Sequence, residues 1–82
     1  DLYEVNEAFA PVPLAWLQGN DADPSKLNVN GGAIALGHPL GMSGARITGT
    51  AALELAAGAG RRSLSTMCIG VGQGIAIALE RV

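Results

Sequence analysis

Ser43-Gly44-Ala45-Arg46-Ile47-Thr48-Gly49-Thr50-Ala51-Ala52-Leu53-Glu54-Leu55-Ala56-Ala57 predicts the longest helix of the chain. Ile47, Ala51 and Leu55 recur at four-residue spacing, and Ala52, Leu55, Ala56 and Ala59 fill the neighbouring stripe. Ser43 stands where a capping hydroxyl would serve the first turn. Gly58 and Gly60 supply the stop. Apolar residues almost all round predict a helix sandwiched between layers. The chain therefore reads as a layered α/β fold.

Working outward, Leu2 to Val5 alternates weakly and predicts a short strand. A helix is expected from about Ala10 to Gln18, with Pro11 and Pro13 in its first turn, where a missing N–H costs nothing. Gly19 is its expected stop, followed by turn residues from Asn20 to Pro24. A short strand near Asn28–Asn30 and then an irregular glycine-rich loop lead to Ser43. Beyond the long helix come strands over roughly Ser63–Ile69 and Gly74–Arg81. In the second, Ile75, Ile77 and Leu79 share one face, and Ala76, Ala78 and Glu80 the other. Gly70 to Gly74 is short enough to join them as an antiparallel hairpin. The expected order is β-α-β-α-β-β, with layered helices and a mixed sheet.

Composition narrows the function classes. The chain has 82 residues, enough for one small domain, and 49% of them are hydrophobic. Phe, Trp and Tyr occur once each, so Ala, Leu, Ile and Val must build the core, helped by 12 glycines. Net charge is −2 and Arg61-Arg62 is the longest basic run, which leaves no electrostatic footprint for nucleic acid. The apolar stretches fall far short of the ~20 residues that span a bilayer. A single cysteine excludes an internal disulfide and fits a reducing compartment, cytoplasmic or an organellar matrix. Asp1 stands where an initiator Met is expected, so the chain reads as a piece of something longer.

Polar residues gather among glycines in Asn6-Glu7-Ala8-Phe9, Gly37-His38-Pro39 and Cys68-Ile69-Gly70-Val71-Gly72. Each lies at a strand end or between elements, where functional groups concentrate. Singly they are ordinary: a turn or capping Asn, a turn His, a buried inert thiol. Gly32-x-x-x-x-Gly37-His38 has P-loop spacing, but His and Pro39 replace the Lys and Ser/Thr that phosphate and magnesium need. Gly70-x-Gly72-x-Gly74 lies between strands and opens no helix, unlike a dinucleotide fingerprint. One His and one Cys make no metal site.

In order and spacing, these segments together with Asn28-Val29-Asn30-Gly31-Gly32-Ala33-Ile34-Ala35-Leu36-Gly37-His38-Pro39-Leu40-Gly41 resemble the C-terminal motifs of thiolases. The resemblance covers essentially the whole chain, residues 1–82, as part of the C-terminal thiolase domain. It implies an enzyme that cleaves 3-ketoacyl-CoA with CoA, or runs the reverse Claisen condensation. His38 would activate a nucleophilic cysteine and help bind a thioester oxygen. Cys68 would be the acid/base that moves a proton on the substrate α-carbon. Asn6 would hold a water completing one oxyanion hole, and the Gly70 N–H would contribute to the other. The resemblance also implies acyl-CoA and CoA as the only small-molecule partners, no other cofactor, and a homo-oligomer.

Chemistry agrees with those roles. An α-carbon beside a thioester is a very weak acid, so its proton leaves only if the enolate oxygen is stabilised. Preorganised donors supply roughly 3 kcal/mol each. A thiol, with an ordinary pKa of about 8.5, is a workable proton shuttle at neutral pH. Two departures stand out. Val71 occupies a position where family members often have Gly, with a modest effect expected on pocket shape. The resemblance also implies that the covalent nucleophile is a cysteine of an N-terminal half not among these residues, and that the CoA-gripping loops lie outside them. The chain alone is therefore expected to be inactive and marginally stable. A catalytically dead structural subunit is the competing expectation, and acetoacetyl-CoA synthesis competes with the degradative direction. Pro11-Val12-Pro13-Leu14-Ala15-Trp16 resembles acyl-CoA acetyltransferases of broad chain length, which implies the degradative direction.

Overall fold

The computed structural model describes every residue from Asp1 to Val82. Three strands, β1 (Leu2–Val5), β2 (Arg62–Gly70) and β3 (Gln73–Glu80), form one sheet in that order. β1 runs parallel to β2, with Leu2 beside Ser63 and Val5 beside Thr66, and β2 runs antiparallel to β3. The α/β class with a mixed sheet is thus what the chain forms. A parallel pair demands a long crossover. Here it carries α1 (Pro11–Asn20), a 3-10 turn (Pro24–Lys26), α2 (Ala33–Leu36) and α3 (Ser43–Ala56).

α3 buries the stripe read from its period: Ile47, Ala51 and Leu55, with Ser43 at its start. The stripe lies on the sheet face carrying Leu2, Glu4, Ser63 and Ser65, and the Ser65 hydroxyl donates to the Ile47 carbonyl at 3.3 Å. Burying Ile47 and Leu55 contributes roughly 2 kcal/mol each. On the opposite face Tyr3 meets Trp16 of α1, ring centroids 4.9 Å apart. Within this chain only one side of α3 is covered, since Leu53 remains 74% exposed. β3 is bare as well, with Ile75 and Ile77 about half exposed. An apolar groove lined by Ile47, Met67, Ile75 and Ile77 opens between α3 and the hairpin.

Several local expectations need correction. Met42, not Ser43, occupies the cap position of α3, and no side chain caps it. Gly58 (φ 98°) does end α3: its N–H reaches Leu55 O while Ala59 N–H reaches Glu54 O, a Schellman closure. α1 runs through Gly19 and ends at Asp21 (φ 48°), a left-handed residue that Asp tolerates. The strand expected at Asn28–Asn30 is reduced to one bridge, Tyr3 to Leu27. Asn28 (φ 47°) and Gly31 (φ 86°) turn the chain away from extended geometry there.

The hairpin loop Val71-Gly72 has positive φ at both positions (55° and 72°), the signature of a type I′ turn. A β-branched residue is strained in that region by about 1–2 kcal/mol. Val71 is 98% exposed, so no packing offsets the strain. Val71→Asn should stabilise the hairpin by about 1 kcal/mol in urea unfolding, and Val71→Gly by less, because glycine also loosens the unfolded chain. An unchanged unfolding midpoint for Val71→Asn would refute the strain.

Candidate active site

Parallel pairing sends the carboxyl ends of β1 and β2 to the same edge of the sheet, where ligands of α/β folds gather. Asn6 sits just past β1. Its N–H continues the ladder to Thr66 O at 3.0 Å, and its side chain is buried, 2% exposed. The flanking residues are fixed from the other side. Asn28 Oδ1 accepts from Val5 N–H and Asn28 Nδ2 donates to Val5 O, both at 2.9 Å, so one side chain stands in for a strand edge. The Glu7 carboxylate accepts from Asn28 Nδ2 at 3.3 Å and from Ile34 N–H at 3.1 Å. A Cβ on Gly32 would lie 2.1 Å from Glu7 Cδ, so any larger residue there would displace the Glu7 carboxylate.

The Gly37-His38-Pro39 loop is pinned at each residue. Arg46 Nη1 donates to Gly37 O at 2.6 Å. Pro39 O accepts from Met42 N–H and Ser43 N–H. His38 Nδ1 lies 2.5 Å from Ser43 Oγ, and His38 Nε2 lies 3.4 Å from Asn6 Nδ2. Asn6 Oδ1 is buried with no partner in the protein, which suits a group that must still bind something.

The structure thus brings Asn6 and His38 together. Cys68 and Gly70 occupy the carboxyl end of β2, at the same sheet edge, and the exposed Cys68 thiol hydrogen-bonds to no residue of the chain. A register shift between Cys68 and Gly70, with Gly70 at φ 97°, bends the strand end there. No cluster of His, Cys, Asp and Glu is placed to hold a metal ion. No helix is long and apolar enough to cross a membrane. Ser43, Asn28 and Glu7 are the residues that sequence reasoning missed. The Asn-x-Asn-Gly-Gly run and the serine five residues after His38 were the available signals.

Two residues before Asn6, on the same face, Glu4 is buried under α3. Burial pushes its carboxyl up to about 7, with Arg46 pulling it down and Glu54 and Glu7 adding to the rise. A raised folded pKa means that the folded chain holds the proton more tightly. Stability from this group is therefore complete below the ordinary value of about 4.5 and is lost as pH climbs through 7. Glu4→Gln should raise the unfolding free energy at pH 8 by on the order of 1 kcal/mol once solvent screening is discounted. The two proteins should converge near pH 4. A pH-independent difference would assign the effect to packing instead.

The family model of the thiolase C-terminal domain matches residues 1–81. The chain belongs to the thiolase family. Its curated relatives include β-ketoadipyl-CoA thiolase of Pseudomonas aeruginosa, 61% identical over all of this chain and 21% of that protein. Mitochondrial 3-ketoacyl-CoA thiolase of Bos taurus is 58% identical over 98% of this chain and 20% of that protein. The crystal structure of human mitochondrial 3-ketoacyl-CoA thiolase superposes with a TM-score of 0.95 at 56% identity, covering all of this chain and 21% of that one. The same human thiolase has been solved in complex with CoA, with equal similarity to this chain. The chain spans about a fifth of the length of these thiolases.

Proposed function

We propose that this chain is the C-terminal part of a longer thiolase that cleaves 3-ketoacyl-CoA with CoA, giving acetyl-CoA and a shortened acyl-CoA. The observation that carries the proposal is the buried Asn6 side chain facing His38 Nε2 at the sheet edge that also presents Cys68 and Gly70. In the thiolytic direction a cysteine elsewhere in the full protein gives its proton to His38 and attacks the 3-keto carbon. The Cα–Cβ bond breaks, and its electron pair becomes the enolate of acetyl-CoA. Asn6, through a water, and His38 stabilise one oxyanion, and the Gly70 N–H the other. Cys68 protonates the enolate carbon. CoA then takes the acyl group from the nucleophilic cysteine, giving its thiol proton to the Cys68 thiolate while His38 returns its proton to the departing cysteine.

The intact pairing of Asn6 with His38 favours an active enzyme over a structural subunit. The full protein acts in the cytoplasm or an organellar matrix, as a homo-oligomer. A second substrate reading comes from the relatives named for β-ketoadipyl-CoA, whose acyl chain ends in a carboxylate. Thiolysis rates of the full-length protein on acetoacetyl-CoA, a long-chain 3-ketoacyl-CoA and 3-oxoadipyl-CoA decide between them. Broad activity on the unsubstituted chains supports β-oxidation. Strict preference for 3-oxoadipyl-CoA overturns it in favour of the dicarboxylate, and strict preference for acetoacetyl-CoA overturns both.

A further inference from the structure

We infer that Ser43 is a positioning residue that fixes the tautomer of His38, keeping Nε2 unprotonated and ready to accept a proton. Ser43 is fully buried, and its hydroxyl lies 2.5 Å from His38 Nδ1 and 3.2 Å from the Pro39 carbonyl. A hydroxyl has one proton to give. A carbonyl can only accept, and a Ser43 proton turned to Pro39 O leaves Ser43 Oγ to accept from Nδ1–H. At the other side of the ring, the Asn6 amide N–H faces Nε2 at 3.4 Å. With its N–H turned to the ring, Asn6 meets a lone pair on Nε2. Both contacts fit the same neutral imidazole, protonated on Nδ1.

The arrangement is held from the backbone. Ser43 is the first residue of α3, and its own N–H also reaches Pro39 O, at 3.1 Å. Pro39 O is thereby fixed relative to the helix that carries the hydroxyl. When Nε2 takes a proton, Ser43 Oγ remains an acceptor for Nδ1–H, now a charge-assisted bond and stronger than before. Ser43 thus favours both the competent tautomer and the imidazolium that follows. The serine acts on His38 alone and does not touch the substrate. This inference rests on the thiolase reading of His38 for its catalytic consequence, but the tautomer itself does not.

The test uses the full-length protein. Nitrogen-15 NMR of the imidazole should show His38 neutral with the proton on Nδ1. Ser43→Ala should shift the population toward the Nε2–H form and lower kcat/KM about tenfold. It should also move the acidic limb of the kcat/KM profile down by about half to one pH unit, because the imidazolium loses its acceptor. Ser43→Thr, which keeps the hydroxyl, should restore the acidic limb. A wild-type imidazole carrying its proton on Nε2, or an alanine variant with unchanged tautomer and pH profile, overturns the inference. If Ser43→Ala does not fold, the wild-type spectrum alone decides. Absence of thiolysis by the wild-type protein would sink the functional reading and leave the tautomer measurement standing.

Discussion

Replacing His38 with alanine in the full-length protein is expected to lower kcat/KM for thiolysis by about 10³-fold or more. The loss combines a general base, typically worth 10²–10⁴-fold, with one oxyanion donor, itself worth a similar factor. The effects overlap because both act in the same transition states, so they do not multiply. KM should change little, since the imidazole is asked to bind developing charge and not the resting thioester. Acylation of the nucleophilic cysteine should fall along with turnover. Folding should survive, as His38 is only partly buried. The variant does leave the buried Ser43 and Asn6 side chains short of a partner, which will lower the thermal midpoint by a few degrees. A variant that folds and keeps a tenth of its activity would remove His38 from the proton-transfer role.

Cys68→Ser should produce a comparable loss of turnover with a different signature. An alcohol is a far weaker acid than a thiol, so it cannot exchange protons with an α-carbon near neutral pH. Exchange of the acetyl-CoA methyl protons with deuterated water should therefore fall by about 10²–10⁴-fold. Acylation by labelled acetyl-CoA, trapped on the nucleophilic cysteine, moves no α-proton and should persist. The two variants separate the roles: His38→Ala suppresses both measurements, Cys68→Ser only the exchange. Retained deuterium exchange in the serine variant would reassign the acid/base. The thiol is exposed in this chain and makes no hydrogen bond in it, so the variant's stability should match the wild type.

Much of the fold was legible because it depends on periodicity. Ile47, Ala51 and Leu55 are the buried stripe of α3, as their spacing requires, and Gly58 closes that helix. The hairpin follows from two strand patterns separated by glycines. The Asn28 segment was not legible, because its strand-like bonds are made by a side chain to Val5, 23 residues away. Nothing in the local sequence reports such a partner. Ser43 was misassigned for a related reason: a serine at a helix start usually caps it, and only the placement of His38 shows where its hydroxyl goes. Asn6, His38 and Cys68 were each ordinary alone and became candidates only through their shared order, and the structure brings the first two together. Glu4 carried no signal, since an alternating strand does not say which polar residue a crossing helix will cover.

The parallel pairing of β1 with β2 joins residues about sixty positions apart, Leu2 with Ser63. Every helix of the chain lies inside the loop that this pairing closes. Closing so long a loop costs chain entropy before any ladder bond repays it, so sequence-distant strands of this kind come together late. Helical structure can form quickly within the loop while Asn6 and Cys68 are still far apart. During refolding of the full-length protein, recovery of the proposed thiolysis should lag recovery of helical signal, with the rate of strand closure setting when activity returns.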